Sequence, residues 1–257
     1  MSARTAARTA RRGGAGPWLR PFRLLAEVYH EIEDSSVWGR LVLANLWPAY
    51  IFLLPLLGKV YLVWTRLVST SGSGVDPLHV RAQLVQDAAT IVFFALVVGL
   101  YAIRAPRKGP RSDLRGAAVA IMGTFLLNLV GFLPVPAAEP TTEVLLVSTG
   151  VIVAGTGFTI WSLAALGRCF GMFPEARGLV TRGPYRWVRH PVYLGELVSG
   201  LGLVIVRPHP LVVLVYVLFC LFQYWRSRLE DAVLGAAFPA EYPEFHARTG
   251  RLLPRWR

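Results

Sequence analysis

Apolar residues in this chain fall into long unbroken blocks, not at the three-to-four residue spacing of a soluble amphipathic helix. Four blocks, Leu41 to Trp64, Leu84 to Ile103, Gly116 to Val135 and Val144 to Leu166, are each about 20 residues or longer. That length matches a hydrocarbon core of about 30 Å, so each block predicts a membrane-crossing helix. Two shorter blocks follow, Tyr193 to Val206 and Leu211 to Trp225, separated by Arg207-Pro208-His209-Pro210. Two prolines in four residues break a helix, so the pair predicts an antiparallel hairpin whose depth in the bilayer is open. The expected fold is an all-α polytopic bundle of about six transmembrane helices.

Composition supports the bilayer as solvent. Of 257 residues, 54% are hydrophobic and only 16% charged, against about 25% charged in soluble domains. The net charge of +12 would suggest nucleic acid in a soluble protein. Here the placement of the cations says otherwise. Four segments, up to Arg40, Arg104 to Arg115, Arg168 to Arg189 and Arg226 to Arg257, hold 23 of the 27 Lys and Arg residues. With six crossings and an inside N-terminus all four lie in the cytoplasm, which predicts both termini inside and no nucleic-acid partner. The outer loop around Glu139 and Glu143 carries no Lys or Arg.

The chain divides, on this reading, into a basic tail (1–40) with an interfacial helix around Trp18 to Trp38, four spans (41–166), and a functional part (167–257) beginning near Gly167. The first apolar block starts too late for a cleavable signal peptide. Cys169 and Cys220 show no CxxC spacing. Glu27, His30 and Glu31 have helical spacing, but a polar helix face explains them better than a metal does.

Two stretches concentrate chemistry. In Arg177 to Gly195, RGLVTRGPYRWVRHPVYLG, cations, aromatics, Pro and Gly crowd the entry to an apolar helix. Pro191 suits a first helical turn, which sets Arg189 and His190 beside unpaired backbone donors able to attract an anion. In RSRLEDAVLGAAFPAEY, Arg226 and Glu230 share a helix face at i,i+4 spacing. Taken alone, the first is explained as well by an interfacial aromatic belt, and the second by a surface ion pair. Gly195, Ser199 and Gly202 are at a spacing that lets membrane helices pack closely.

Residues Trp161 to Pro254 resemble the membrane methyltransferases that include isoprenylcysteine carboxyl methyltransferase and, more distantly, phospholipid N-methyltransferases. The resemblance rests on Leu179-Val180, Gly183-Pro184-Tyr185, Arg189-His190-Pro191, Tyr193, Gly195, Arg226, Glu230-Asp231, Glu241-Tyr242 and Arg251 to Pro254. It implies an S-adenosylmethionine site formed by Gly178, Leu179, Val180, Tyr185, His190, Pro191, Tyr193 and Glu230, with Arg226 at the position that holds a substrate carboxylate. Arg226, Glu230 and His190 are then the catalytic candidates. It also implies a lipid-like or isoprenoid acceptor arriving from the bilayer, with the cofactor entering from the cytoplasm. Asp231 departs from the family's second glutamate, and Phe245 from a frequent tyrosine.

The residues alone allow compatible roles. Tyr185 and Tyr193 can face a sulfonium and Glu230 can neutralise it, while His190 or Arg189 can pair with the methionine carboxylate. A carboxylate acceptor needs no base, whereas an amine or thiol needs His190 or Glu230 as proton acceptor. Two other readings compete. A sterol-reductase type enzyme would use NADPH, which the negative charge of Glu230 disfavours. A non-catalytic transport or assembly protein would show paired polar residues near the midplane and internal symmetry, and neither is legible.

Overall fold

A computed structural model describes residues 42, 45–69, 77–108, 112–134 and 140–255. The expected tail and interfacial helix, and Glu27, His30 and Glu31, lie outside the described residues. The packing below is that of Ala49–Arg257, which forms one compact unit.

The described helices are α1 (Trp47–Ser69), α2 (Pro77–Ile103), α3 (Leu114–Phe125), α4 (Thr142–Leu166), α5 (Pro191–Val206), α6 (Pro210–Ala237) and α7 (Tyr242–Arg248). A 3-10 stretch, Leu126–Phe132, prolongs α3. The caps follow the sequence. Asp113 accepts from the Gly116 amide at 2.8 Å to start α3. Pro191 and Pro210 occupy the first positions of α5 and α6. Gly167 ends α4 at φ +53°, and Gly183 turns the following loop at φ +59°, a region costly for any residue with a Cβ.

Five helical stretches, Trp47–Val68, Pro77–Ile103, Leu114–Phe132, Thr142–Cys169 and Pro210–Ala237, are long and apolar enough to cross a membrane. Their outward faces carry large apolar side chains in the open, among them Tyr61, Trp64, Leu129, Val147 and Leu214, which suits lipid and not water. The molecule is a polytopic membrane bundle. The sixth apolar helix, α5, has 16 residues and a length of about 24 Å, short of a full crossing. Its hairpin partner is longer than its apolar block: α6 runs 28 residues and carries Arg226, Glu230 and Asp231 on the same rod.

α4 packs most extensively on α5, α2 on α4, and α3 on α6. The α4–α5 seam is built on small residues. A Cβ on Gly195 would stand 2.7 Å from the Gly155 carbonyl oxygen and 2.8 Å from the Thr159 nitrogen. Ser148 Oγ donates to the Gly202 carbonyl at 3.0 Å and Ser199 Oγ to that of Gly195 at 3.0 Å. Gly195, Ser199 and Gly202 are therefore packing residues, as their spacing predicts.

The structure corrects one expectation. Paired polar residues do occur within the apolar helices: Asp87 of α2, buried, binds Lys59 and Arg66 of α1 at 2.6 Å each. Sequence separations of 28 and 21 conceal the pairing.

Candidate active site

The loop between α4 and α5 is held on both sides. Towards α2, Ala105 N donates to Arg168 O at 2.8 Å, Lys108 N to Ala176 O at 2.6 Å, and Arg177 Nη1 to Ala105 O at 2.6 Å. Towards the C-terminus, Val188 bridges Gly250, with Arg189 N donating to Gly250 O at 2.8 Å and His190 N to Arg251 O at 3.1 Å. The loop thus crosses the bundle end as a fixed strap.

Beneath it lies an open-mouthed cavity lined by residues of the strap and of the spanning helices. Of the residues the sequence points to, Gly178, Leu179, Val180, Tyr185, His190, Tyr193, Arg226 and Glu230 line it. Pro191 does not; it is buried at the first turn of α5, where it sets the helix direction. Phe52, Phe93, Val97, Thr124 and Leu163 complete the wall from α1 to α4, and no local signal distinguishes them.

The polar side chains form one network. Asp231 accepts from His190 Nε2 at 2.8 Å, from Tyr242 Oη at 2.5 Å and from Arg251 Nε at 3.0 Å, with Arg189 Nε at 3.3 Å. The other face of the His190 ring has Glu230, Nδ1 to Oε2 at 3.5 Å. Burial acts against a charged imidazole, but the hydrogen bonds to Asp231 and Glu230 and their charges outweigh it and raise the His190 pKa. Burial, then the nearby Glu230 charge, holds the Tyr185 phenol neutral, well above its ordinary pKa.

Tyr193 Oη donates to Glu230. Its ring stacks on His190, centroids 5.6 Å apart and planes 6° apart, and carries the Arg226 guanidinium at 4.8 Å. Arg189, which lines the cavity, donates to the carbonyls of His246 and Thr249 besides facing Asp231, so it braces the strap. Arg226 Nη2 donates to Met172 O at 2.6 Å and Nη1 to Thr124 Oγ1 at 3.2 Å, with Glu230 at 4.0 Å from its Nε.

Asp231, Tyr242 and Arg251 carry this network, although the sequence marks Asp231 only as a departure from the family. Its partner His190 is 41 positions away.

The acids Glu175, Glu196 and Glu230, the arginines Arg177, Arg189 and Arg226, and His190 border one otherwise mostly apolar space. Gly178 lets the loop backbone approach: a Cβ there would stand 2.6 Å from Cys169 Sγ.

Residues 144–241 match the family model described as phospholipid methyltransferase. The chain is 38% identical over 78 residues to a protein-S-isoprenylcysteine O-methyltransferase of Saccharomyces cerevisiae, covering 30% of this chain and 32% of that protein. It is 38% identical over 99 residues to the cobalt-zinc-cadmium resistance protein CzcN of Cupriavidus metallidurans, 37% and 45% of the respective lengths. A third relative, a protein-S-isoprenylcysteine O-methyltransferase of Tribolium castaneum, is 32% identical over 77 residues, 30% and 27% of the lengths. The chain thus matches less than half the length of each of these curated relatives. The solved structure of a eukaryotic intramembrane Ras methyltransferase, isoprenylcysteine carboxyl methyltransferase, overlays with TM-score 0.47 at 16% identity, covering 93% of this chain and 87% of that one. Residues 144–241, the stretch similar to the phospholipid methyltransferase model, carry most of the cavity's polar network.

Proposed function

We propose that the protein is a membrane methyltransferase that moves a methyl group from S-adenosylmethionine to a lipid-like or isoprenoid acceptor. The observation that carries the reading is the convergence of Gly178, Leu179, Val180, Tyr185, His190, Tyr193 and Glu230 on one cavity at the end of an apolar bundle. The names of two relatives, isoprenylcysteine O-methyltransferases, favour this chemistry over reduction or transport.

When bound, S-adenosylmethionine supplies the methyl group in electrophilic form. The chain's own residues do the rest. Glu230 sets a carboxylate on the wall opposite a cationic ligand, and Tyr193, His190 and Arg226 hold that carboxylate in place. Asp231, anchored by Arg251 and Tyr242, fixes the His190 ring. Gly178 lets the strap pack against Cys169, whose side chain borders the same cavity. Methyl transfer is an in-line displacement, so holding the two reactants about 3 Å apart supplies much of the acceleration.

The proposed arrangement has a tail (1–40), four spans (41–166) and a catalytic part (167–257), both termini and the cavity mouth facing the cytoplasm of a cell membrane. The four basic segments support that orientation, since α5 counted as a sixth crossing returns the chain to the starting side. Membrane lipids surround the apolar faces.

The test is transfer of a labelled methyl group from S-adenosylmethionine into an organic-extractable product, with full-length protein and bacterial lipid or isoprenoid extract. Wild type is expected to label the lipid fraction, and Glu230→Gln to lower the rate about hundredfold. A well-folded wild type that labels no lipid contradicts the proposal.

A further inference from the structure

The cavity changes character along its length. Glu230, His190, Tyr193 and Arg226 border one part of it, whereas Phe52 of α1, Phe93 and Val97 of α2 and Leu163 of α4 make the rest apolar. The loop that carries the strap meets α2 just past its C-terminal end, where Ala105 N donates to Arg168 O, and α3 in its first turn, where a Cβ on Gly116 would stand 3.1 Å from Pro174 Cγ. Among the described residues the cavity reaches no further along α2 than Phe93 and along α3 than Thr124. Each lies ten residues from the helix end beside that loop, Ile103 and Leu114 respectively. At 1.5 Å per residue both are about 15 Å deep, half of a hydrocarbon core of about 30 Å.

One side chain of α1 closes this apolar end. α1 packs less closely on the bundle than the other spans do. Of its five aromatic residues, Trp47, Tyr50, Tyr61 and Trp64 are exposed and Phe52 is buried. The Phe52 ring enters the bundle with its centroid 6.4 Å from Phe94, 5.8 Å from Tyr101 and 6.1 Å from Phe125. None of those three lines the cavity, and Phe52 is the one described residue of α1 that does. Leu54 and Leu57 of the same helix are exposed on its outer side. Phe52 therefore stands between the apolar end and the bilayer, backed by packed aromatics. An apolar chain whose reacting group lies beside Glu230 and Arg226 directs its far end at this ring. A chain that fits exchanges lipid for equally apolar walls, while a longer one must push the ring into a close-packed cluster.

We propose that Phe52 is a specificity-determining residue for the acceptor: it ends the cavity and admits a single apolar chain no longer than about half the hydrocarbon thickness. The inference rests on the methyl-transfer reading above and adds to it the size of the acceptor's apolar part. Phe52 lies outside residues 144–241, so the limit is a property of this chain's own N-terminal helices.

The experiment uses full-length protein saturated with S-adenosylhomocysteine at one fixed detergent concentration. Octanol, decanol, dodecanol, tetradecanol and hexadecanol are titrated in turn, and native mass spectrometry counts the bound alcohol, so that chain length varies while the neutral head group does not. Micelle and cavity are both apolar, so wild type is expected to bind successive alcohols about equally up to a cut-off and about tenfold more weakly beyond it, the usual scale of overpacking. Phe52→Ala should move the cut-off to a longer alcohol or abolish it, and Phe52→Trp should move it to a shorter one. S-adenosylhomocysteine affinity should stay within threefold in both. No cut-off in wild type overturns the proposal, as does a cut-off at the same alcohol in all three proteins, the result a purely structural Phe52 would give. Absence of alcohol binding in a wild type that binds S-adenosylhomocysteine overturns it too. Should Phe52→Ala fail to fold, Phe52→Leu replaces it on the same terms. Failure of wild type to bind S-adenosylhomocysteine refutes the methyltransferase reading instead, a separate result from the chain-length profile.

Discussion

Asp231 joins four side chains from three segments: His190 and Arg189 of the strap, Tyr242 of α7, and Arg251 beyond it. Removing its charge leaves Arg189 and His190 facing each other in a buried place. Asp231→Asn should therefore destabilise the protein by about 3 to 5 kcal/mol, the cost of breaking a buried pair, read from thermal unfolding in detergent. The pH dependence has a definite sign. The folded-state pKa of His190 is raised, so its contribution is fully present below the unfolded value of about 6.5 and is lost as pH rises through the folded value. Wild type should lose stability over that window, and His190→Gln should flatten the loss; an unchanged slope would assign the effect elsewhere. His190, Tyr193, Arg226 and Glu230 stood out in the sequence through the family resemblance, because type and spacing alone are explained as well by an aromatic belt and a surface ion pair. The role of Asp231 did not, because its partners come from 11, 20 and 41 positions away.

At the scale of elements, the α4–α5 seam is the tightest joint and holds α5 at the angle that presents His190, Tyr193 and Glu196 to the cavity. Gly195→Ala places a Cβ against the Gly155 carbonyl and Thr159 backbone, so it should cost about 1 to 3 kcal/mol by overpacking and weaken ligand binding with it. A melting temperature equal to wild type would show that the seam has slack. The small-residue spacing revealed this joint beforehand, since close approach of two helices requires it. The pairing of α1 with α2 was hidden, because nothing local links Asp87 to Lys59 and Arg66. Asp87→Ala strands both cations beside lipid and should lower the melting temperature; Lys59→Leu with Asp87→Ala should recover part of the loss. If the double variant is no better than the single, the Lys59 contact is incidental.

For the whole molecule, block lengths foretold the bundle, but the last block understated its helix. α6 carries the apolar run and two of the catalytic candidates, Arg226 and Glu230, on one 28-residue rod, so hydropathy ended at Trp225 while the helix did not. The wall residues Phe52, Phe93 and Val97 were unreadable, since which faces of α1 and α2 turn inward depends on packing. Orientation has a direct check: a C-terminal reporter active only in the cytoplasm should be active, and its silence would contradict the proposed topology. The central claim is the cofactor, and calorimetry of S-adenosylmethionine with the purified full-length protein tests it most directly. The account predicts saturable binding to wild type, weakened at least tenfold, about 1.4 kcal/mol, in both His190→Ala and Glu230→Ala. No binding to folded wild type, or undiminished binding in both variants, would contradict it.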